Sequence, residues 1–291
     1  MILPLLRSTR PRQWVKNVVV LAAVMFSEHL LDPDYVLTAF AAAGVFILLS
    51  SAIYLVNDLA DAEADRLHPD KATRPIASGA LPRSVAIVAA VVLFTGGLTG
   101  ALLLHGDFAA VVLLYAILNL AYSLGLKRKV LVDIMIVAAG FLLRAVGGAV
   151  VIEVEISTWF ILCTFTLTLF LAAGKRRGEL VRLKDGVAVE HRASLGCYEI
   201  PYLDQVMSVL ASATVVCYAL YAMGVGEGGV TAARQMQWTV PFVLYGVLRY
   251  LYLVHRGEGD DPTALLWRDR GLQVNLLLWG ALSMVLVYGS M

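Results

Sequence analysis

Asn57-Asp58-Leu59-Ala60-Asp61-Ala62-Glu63-Ala64-Asp65-Arg66-Leu67-His68-Pro69-Asp70-Lys71-Ala72-Thr73-Arg74-Pro75-Ile76-Ala77-Ser78-Gly79 is the stretch from which the whole chain can be read. It sets five acids and three Lys/Arg directly after an apolar run, 39–56, that has the length and character of a membrane helix. A helix carried past Val56 puts Asn57, Asp61 and Asp65 at i, i+4 and i+8, on one face. Three oxygen ligands in a row form a shelf suited to Mg²⁺, a hard cation that takes one or two carboxylates and completes its shell with substrate phosphate oxygens. Tyr54 extends the same face one turn deeper. Pro69 ends the helix, so Lys71 and Arg74 lie on a loop able to fold back over the shelf. Cations beside such a shelf point to a diphosphate. The plainer reading, a solvated loop with capping aspartates, does not explain oxygen ligands recurring every four residues at a membrane boundary, where uncompensated carboxylates repel.

Outward from this stretch the chain is apolar: 59% of its 291 residues are hydrophobic, 15% are charged, and the mean hydropathy is +0.77. That excludes a soluble domain. Runs of spanning length cover 14–31, 35–56, 83–104, 108–124, 130–151, 157–173, 203–223, 238–254 and 272–288, predicting an all-α polytopic membrane protein of nine transmembrane helices in one domain, 1–291. The first run is the weakest, interrupted by Lys16, Asn17, Glu28 and His29; eight helices with an interfacial start is the alternative. With the N-terminus inside, the cytoplasmic segments carry twenty Lys/Arg and the outer loops only Arg234. This places the chain in the inner (plasma) membrane with its N-terminus and the acidic shelf on the cytoplasmic side. The formal net charge of +1 therefore hides a dipolar molecule whose basic side faces anionic lipid and cytosolic metabolites. Nucleic acid is not implied, because the cations are confined to loops and helix ends. Residues 1–6 lack the features of a cleavable signal and read as an interfacial patch. Cys163, Cys197 and Cys217 have no paired spacing and read as small apolar fillers. The oligomeric state is left open, a homo-oligomer included.

Four further clusters carry polar chemistry. Arg10-Pro11-Arg12-Gln13-Trp14-Val15-Lys16-Asn17 opens the first helix; Trp14 and Lys16 suit interfacial anchoring as well as binding, and Asn17 favours binding because an amide that deep needs partners. Tyr122-Ser123-Leu124-Gly125-Leu126-Lys127-Arg128-Lys129 ends the fourth helix, with Gly125 as its stop and Lys127 as a phosphate contact. Arg144 lies near the middle of the fifth helix, where an arginine costs roughly 2.5–3.5 kcal/mol on insertion scales and marks a polar cavity or a buried pair. Gly140, Gly147 and Gly148 beside it allow close packing or close approach of a ligand. An apolar residue at 144 is cheaper in lipid, so Arg144→Leu is expected to insert normally and to lose substrate binding. Gly174-Lys175-Arg176-Arg177-Gly178-Glu179-Leu180 ends the sixth helix; Lys175 and Glu179 share a face and either pair or bracket a phosphate.

Other signals fail on context. Gly224-Val225-Gly226-Glu227-Gly228-Gly229 matches GxGxxG but follows no strand. Gly96-xxx-Gly100 reads as helix packing. None of the five histidines has metal spacing, and His68 alone lies within the acidic segment.

Asn57-Asp58-x-x-Asp61-x-x-x-Asp65 resembles the NDxxDxxxD signature of the UbiA superfamily of intramembrane prenyltransferases, and the resemblance covers essentially the whole chain. It implies helices around a central cavity opening to the cytosolic side, with Mg²⁺ on Asn57, Asp61 and Asp65 beneath a diphosphate. The second motif departs from the common pattern: prenyl-diphosphate users carry a second aspartate-rich segment after helix six, and this chain has Lys175-Arg176-Arg177-Gly178-Glu179. With His68-Pro69-x-Lys71-x-x-Arg74, Tyr122-Ser123-x-Gly125-Leu126-Lys127 and Arg144, it resembles the decaprenyl-phosphate phosphoribosyltransferase branch. The branch implies Mg²⁺-dependent transfer of 5-phosphoribose from phosphoribosyl diphosphate to a polyprenyl phosphate, a step towards cell-wall arabinan. Charge counting agrees, since this pair of substrates adds two monophosphates that call for Lys and Arg rather than more carboxylates.

On that resemblance Asp61, Asp65, Lys71 and Arg74 are catalytic. Lys16, Lys127, Arg144, Lys175 and Arg176 divide the two monophosphates, and Asn17, Tyr54, Asp58, His68, Tyr122 and Glu179 complete the substrate contacts. Two other readings compete: a prenyltransferase joining a prenyl diphosphate to an aromatic or glycerol-phosphate acceptor, and a transporter. The transporter requires polar breaks near the midplane of paired helices, whereas here polarity gathers at one face apart from Arg144.

Overall fold

The computed structural model describes residues 2–67, 71–184, 195–225, 236–259 and 261–289, and among them the chain is helical with no strand. His68, Pro69, Arg192, Arg234 and the glycines 226, 228 and 229 lie outside the described residues. The helices group into two compact units, Met1–Leu124 with Leu143–Glu155, and Gly125–Leu142 with Ile156–Met291.

The first unit comprises α1 (Ile2–Ser8), a 3₁₀ helix (Pro11–Leu21), α2 (Ala22–Phe26), α3 (Pro33–Ala60), α4 (Ala62–Leu67), α5 (Arg83–Leu104), α6 (Gly106–Leu124) and the later half of α7 (Val132–Val151). Its centre is α3. Asp32 caps it, accepting from the Asp34 amide at 3.0 Å, and Pro33 supplies a preset first residue. Phe46, Phe108 and Tyr115 meet edge to face, with ring centroids 5.8 and 5.2 Å from Phe46, and all three are buried. Helix α5 approaches α3 through Gly97 and Gly100, where a Cβ would stand 2.9 Å from Leu49 and 3.3 Å from Val45. The expected Gly96/Gly100 packing pair is thus Gly97/Gly100, because Gly96 faces open space.

The second unit comprises the first half of α7, then α8 (Thr158–Lys184), α9 (Ile200–Ala222), α10 (Val240–His255), α11 (Pro262–Arg268) and α12 (Arg270–Tyr288). Phe170, Met207, Tyr250 and Val254 form its core, with Phe170 and Tyr250 edge to face at 5.2 Å.

Among the described residues seven helices, α3, α5, α6, α7, α8, α9 and α12, are long and apolar enough to cross a membrane. This is a multi-pass membrane protein. Two of the nine expected spans have another form. The eighth is the 16-residue α10, set by Pro241 in its first turn. The first is the 3₁₀ helix followed by the five-residue α2; Val15, Val18, Val19 and Val20 are β-branched and weak α-formers.

The 3₁₀ geometry has a structural purpose. In a 3₁₀ helix residues three apart eclipse and advance about 6 Å, while residues four apart on an α-helix also advance about 6 Å. Asn17 and Val20 therefore match Arg144 and Gly148 on α7: Arg144 Nε donates to Asn17 Oδ1 at 2.7 Å, and the Val20 carbonyl lies where a Gly148 Cβ would be. Trp14 continues the face, donating to Ser51 Oγ on α3 at 3.2 Å. Gly148→Ala should lower the thermal unfolding midpoint of the detergent-solubilised protein, equivalent to about 1–3 kcal/mol of overpacking. Gly96→Ala, which meets nothing within 4 Å, should leave that midpoint unchanged or slightly raised.

Candidate active site

The shelf keeps its helical register through a bend. Helix α3 stops at Ala60, and Asp61 takes φ −91°, ψ 2°. Even so, the Asp61 amide donates to Asn57 O at 2.9 Å and the Asp65 amide to Asp61 O at 2.8 Å, so α4 resumes the same spiral. Asn57, Asp61 and Asp65 follow one another a turn apart, as the spacing predicts.

The loop after α4 folds back, as the sequence also predicts. Ile76 and Leu81 are buried with Leu55, Ala62 and Ala86, and Arg66 Nε donates to Ala77 O at 3.0 Å. This places Arg74 against two acids: Nη1 lies 2.7 Å from Asp65 Oδ2 and 3.3 Å from Asp58 Oδ1. Arg10 Nη2 reaches the same Asp58 oxygen at 2.6 Å, and the Arg10 guanidinium sits 4.8 Å above the Tyr54 ring. Asp58, expected among the substrate contacts, instead points at two arginines. That one carboxylate fixes the direction of both guanidinium groups. Asp58 and Asp65 are 2% and 3% exposed, whereas Asp61 is half-buried. Lys71 is half-buried on the loop that carries Arg74.

The donor set fits Mg²⁺. Among the described residues no three His, Cys, Asp or Glu side chains gather as a ready-made metal cluster. Mg²⁺ does not need one: an amide oxygen and two carboxylates, with phosphate oxygens to follow, match its preference. Asp65 can accept Arg74 on one oxygen and still offer the other, since a carboxylate carries about four lone-pair sites.

Deeper in the same unit, Arg144 is 7% exposed and Asn17 1%. Arg144 Nη2 donates to the Tyr115 hydroxyl at 2.7 Å and its guanidinium lies 4.6 Å from that ring. Two of its donors thus serve Asn17 and Tyr115. Because Asn17 Oδ1 faces Arg144, its Nδ2 points the other way, buried and without an acceptor. That orphaned donor is a buried polar atom for which the fold itself supplies no acceptor. Lys16 and Tyr122 are half-buried, and Lys127 lies in a one-turn 3₁₀ helix, Leu126–Arg128.

In the second unit the basic end of α8 is held by acids. Arg176 Nε meets Asp133 Oδ2 at 2.8 Å and its Nη1 meets Glu179 Oε2 at 2.6 Å. Arg177 Nε meets Asp204 at 2.5 Å and its Nη1 donates to Val254 O at 2.9 Å. Lys175, with its side chain 43% exposed, lies 3.9 Å from Glu179. Arg176, expected to contact a phosphate, has its guanidinium buried between Asp133 and Glu179. Lys175 is the more open cation of the two.

Sequence reasoning missed Arg10, Asp133 and Tyr198. Arg10 shared a segment with Lys16, but nothing linked it to Asp58, 48 residues away. Asp133 and Tyr198 lie 65 residues apart, and no local signal links them, yet the Tyr198 hydroxyl donates to Asp133 Oδ1 at 2.7 Å.

Helical spans ending in carboxylate–arginine groups define a multi-pass membrane protein with its charged side chains gathered at the ends of its helices. The chain belongs to the UbiA prenyltransferase family, whose family model matches residues 17–277. It is 40% identical over 281 residues to the decaprenyl-phosphate phosphoribosyltransferase of Mycobacterium tuberculosis, covering 94% of this chain and 90% of that protein. It is 38% identical to the enzyme of the same name from Corynebacterium glutamicum, covering 98% and 86%. In fold it matches a UbiA homologue from Archaeoglobus fulgidus bound to GPP and Mg²⁺, with a TM-score of 0.73 at 16% identity over 98% of this chain and 99% of that one.

The Arg144 geometry changes what Arg144→Leu should do. The substitution leaves Asn17 Oδ1 and the Tyr115 hydroxyl without their partner, at about 1–3 kcal/mol for each buried group. Thermal unfolding in detergent should show a clear loss of stability, only partly recovered by Arg144→Lys, whose single ammonium lacks the guanidinium fork. A midpoint equal to the wild type would contradict the geometry.

Proposed function

We propose that this chain transfers 5-phosphoribose from phosphoribosyl diphosphate to a polyprenyl phosphate, giving polyprenyl-phosphoryl-5-phosphoribose and diphosphate. The observation that carries this reading is the near full-length identity to decaprenyl-phosphate phosphoribosyltransferases. The Arg74-bridged shelf supports it. A decaprenyl chain is the acceptor by that likeness, and the product is a precursor for cell-wall arabinan.

Asn57, Asp61 and Asp65 would hold Mg²⁺, which when bound supplies positive charge to the diphosphate leaving group. Lys71 and Arg74 bind that diphosphate, and Asp58, through Arg10 and Arg74, fixes the direction of the guanidinium. As the C1–O bond breaks, positive charge grows on the ribosyl centre and an oxygen of the lipid phosphate attacks it. The lipid phosphate is already ionised at neutral pH, so the reaction needs neither a protein nucleophile nor a strong general base. Positioning and fixed charge supply the catalysis. Lys16, Lys127, Arg144 and Lys175 share the two monophosphates, Asn17 adds its unpaired Nδ2, and Arg176 supports Lys175 through Glu179. Tyr54 backs Arg10, while Tyr122, His68 and Glu179 complete the contacts. Both units serve one functional domain with nine membrane crossings, the 3₁₀ helix with α2 as the first and α10 as the eighth. The protein lies in the inner membrane, its N-terminus and the phosphate-binding residues on the cytoplasmic side.

Membranes carrying this protein, given labelled phosphoribosyl diphosphate and polyprenyl phosphate, should move label into the lipid phase. Asp61→Ala should abolish that transfer, by at least 10²-fold, while leaving the thermal midpoint close to the wild type, because Asp61 is half-buried rather than part of the core. Retained turnover at saturating Mg²⁺ would remove the shelf from the mechanism.

A further inference from the structure

Leu131, in the turn before α7, has φ 65°, in the left-handed region that a branched side chain enters only when its surroundings hold it there. What holds it is remote in sequence. Its amide donates at 2.7 Å to the hydroxyl of Tyr198, 67 residues later. That hydroxyl donates in turn to Asp133 Oδ1 at 2.7 Å, and the other Asp133 oxygen accepts from Arg176. Arg176 reaches Glu179, and Glu179 faces Lys175. Tyr198 is itself fixed: it is 4% exposed, and it packs with Leu180, Leu195 and Leu203. One hydroxyl therefore stands between two basic segments of the second unit, the 127–129 loop and the end of α8. Burial, and then the hydrogen bond to the Asp133 carboxylate, push the phenol well above its ordinary range, so it stays protonated and donating.

We propose that Tyr198 is a positioning residue for substrate phosphate: its hydroxyl holds the strained Leu131 backbone and Asp133 together, and thereby sets Lys127 and Lys175 as one anion-binding surface. The inference rests on the function proposed above. The segments concerned are a connecting loop and the charged end of α8, and of the two monophosphates we assign to them the 5-phosphate of water-soluble phosphoribosyl diphosphate.

The test compares wild type, Tyr198→Phe, and Tyr198→Phe combined with Leu131→Gly, in detergent micelles with phosphoribosyl diphosphate, polyprenyl phosphate and Mg²⁺. Removing the hydroxyl should raise the KM for phosphoribosyl diphosphate about tenfold, with kcat and the KM for the lipid within about threefold of wild type. Glycine adopts a positive φ without strain, so the double variant should recover most of the lost affinity. A role confined to the fold would lower the thermal midpoint and the active fraction without moving KM, and that result overturns the proposal. So does a double variant that recovers nothing. If Tyr198→Phe does not fold, the double variant decides: a folded enzyme with near-native KM supports the proposal, and an unfolded one assigns the hydroxyl to the fold alone. Wild-type protein that transfers no label overturns the proposed function and this inference with it; an active wild type with an unchanged Tyr198→Phe KM overturns this inference alone.

Discussion

Arg74 meets Asp65 at 2.7 Å and Asp58 at 3.3 Å, and this bridge governs the end of α3. Two carboxylates 2–3% exposed need a charged partner, because the desolvation cost of a buried charge exceeds what stray dipoles return. Arg74 and Arg10 supply that partner. Removing one member of such a group typically costs about 3–5 kcal/mol, since the other charge is left buried and alone. The loop that carries Arg74 is therefore tied to the helix that carries the acids, and the bridge settles two further points: Asp61 remains the most accessible acid of the shelf, and Asp65 has one oxygen engaged before any metal arrives. Electrostatics here selects an orientation for the guanidinium more than it adds stability.

The same logic recurs in the second unit, where Asp133, Glu179 and Asp204 compensate Arg176 and Arg177. Counted by residue type, the end of α8 is strongly basic. Counted by contact, the charge of Arg176 and Arg177 is already answered within the fold, while Lys175 is partly exposed. A charge count along a sequence overstates what is open to a ligand, because the partners come from helices far away in the chain.

How much of this was legible follows from range. Asn57, Asp61 and Asp65 could be read because helical periodicity is local, and the fold-back of Arg74 because the chain turns within a few residues of the end of α4. The Arg10–Asp58 and Tyr198–Asp133 contacts span 48 and 65 residues, and no spacing rule reaches that far. Hydropathy found the apolar run at 14–31 but not its 3₁₀ winding, which depends on α7: only a step of about 6 Å every three residues lets Asn17 and Val20 meet Arg144 and Gly148 together. Arg144 was recognisable as anomalous. That two of its donors go to Asn17 and Tyr115 was not.

The central claim is that the shelf and its arginines bind phosphoribosyl diphosphate through Mg²⁺. Equilibrium binding of labelled phosphoribosyl diphosphate to the purified protein without lipid acceptor, with and without Mg²⁺ and with geranyl diphosphate as competitor, addresses it most directly. The account predicts saturable binding that requires Mg²⁺ and resists geranyl diphosphate. Binding that ignores Mg²⁺, or displacement by geranyl diphosphate at equal concentration, would contradict it.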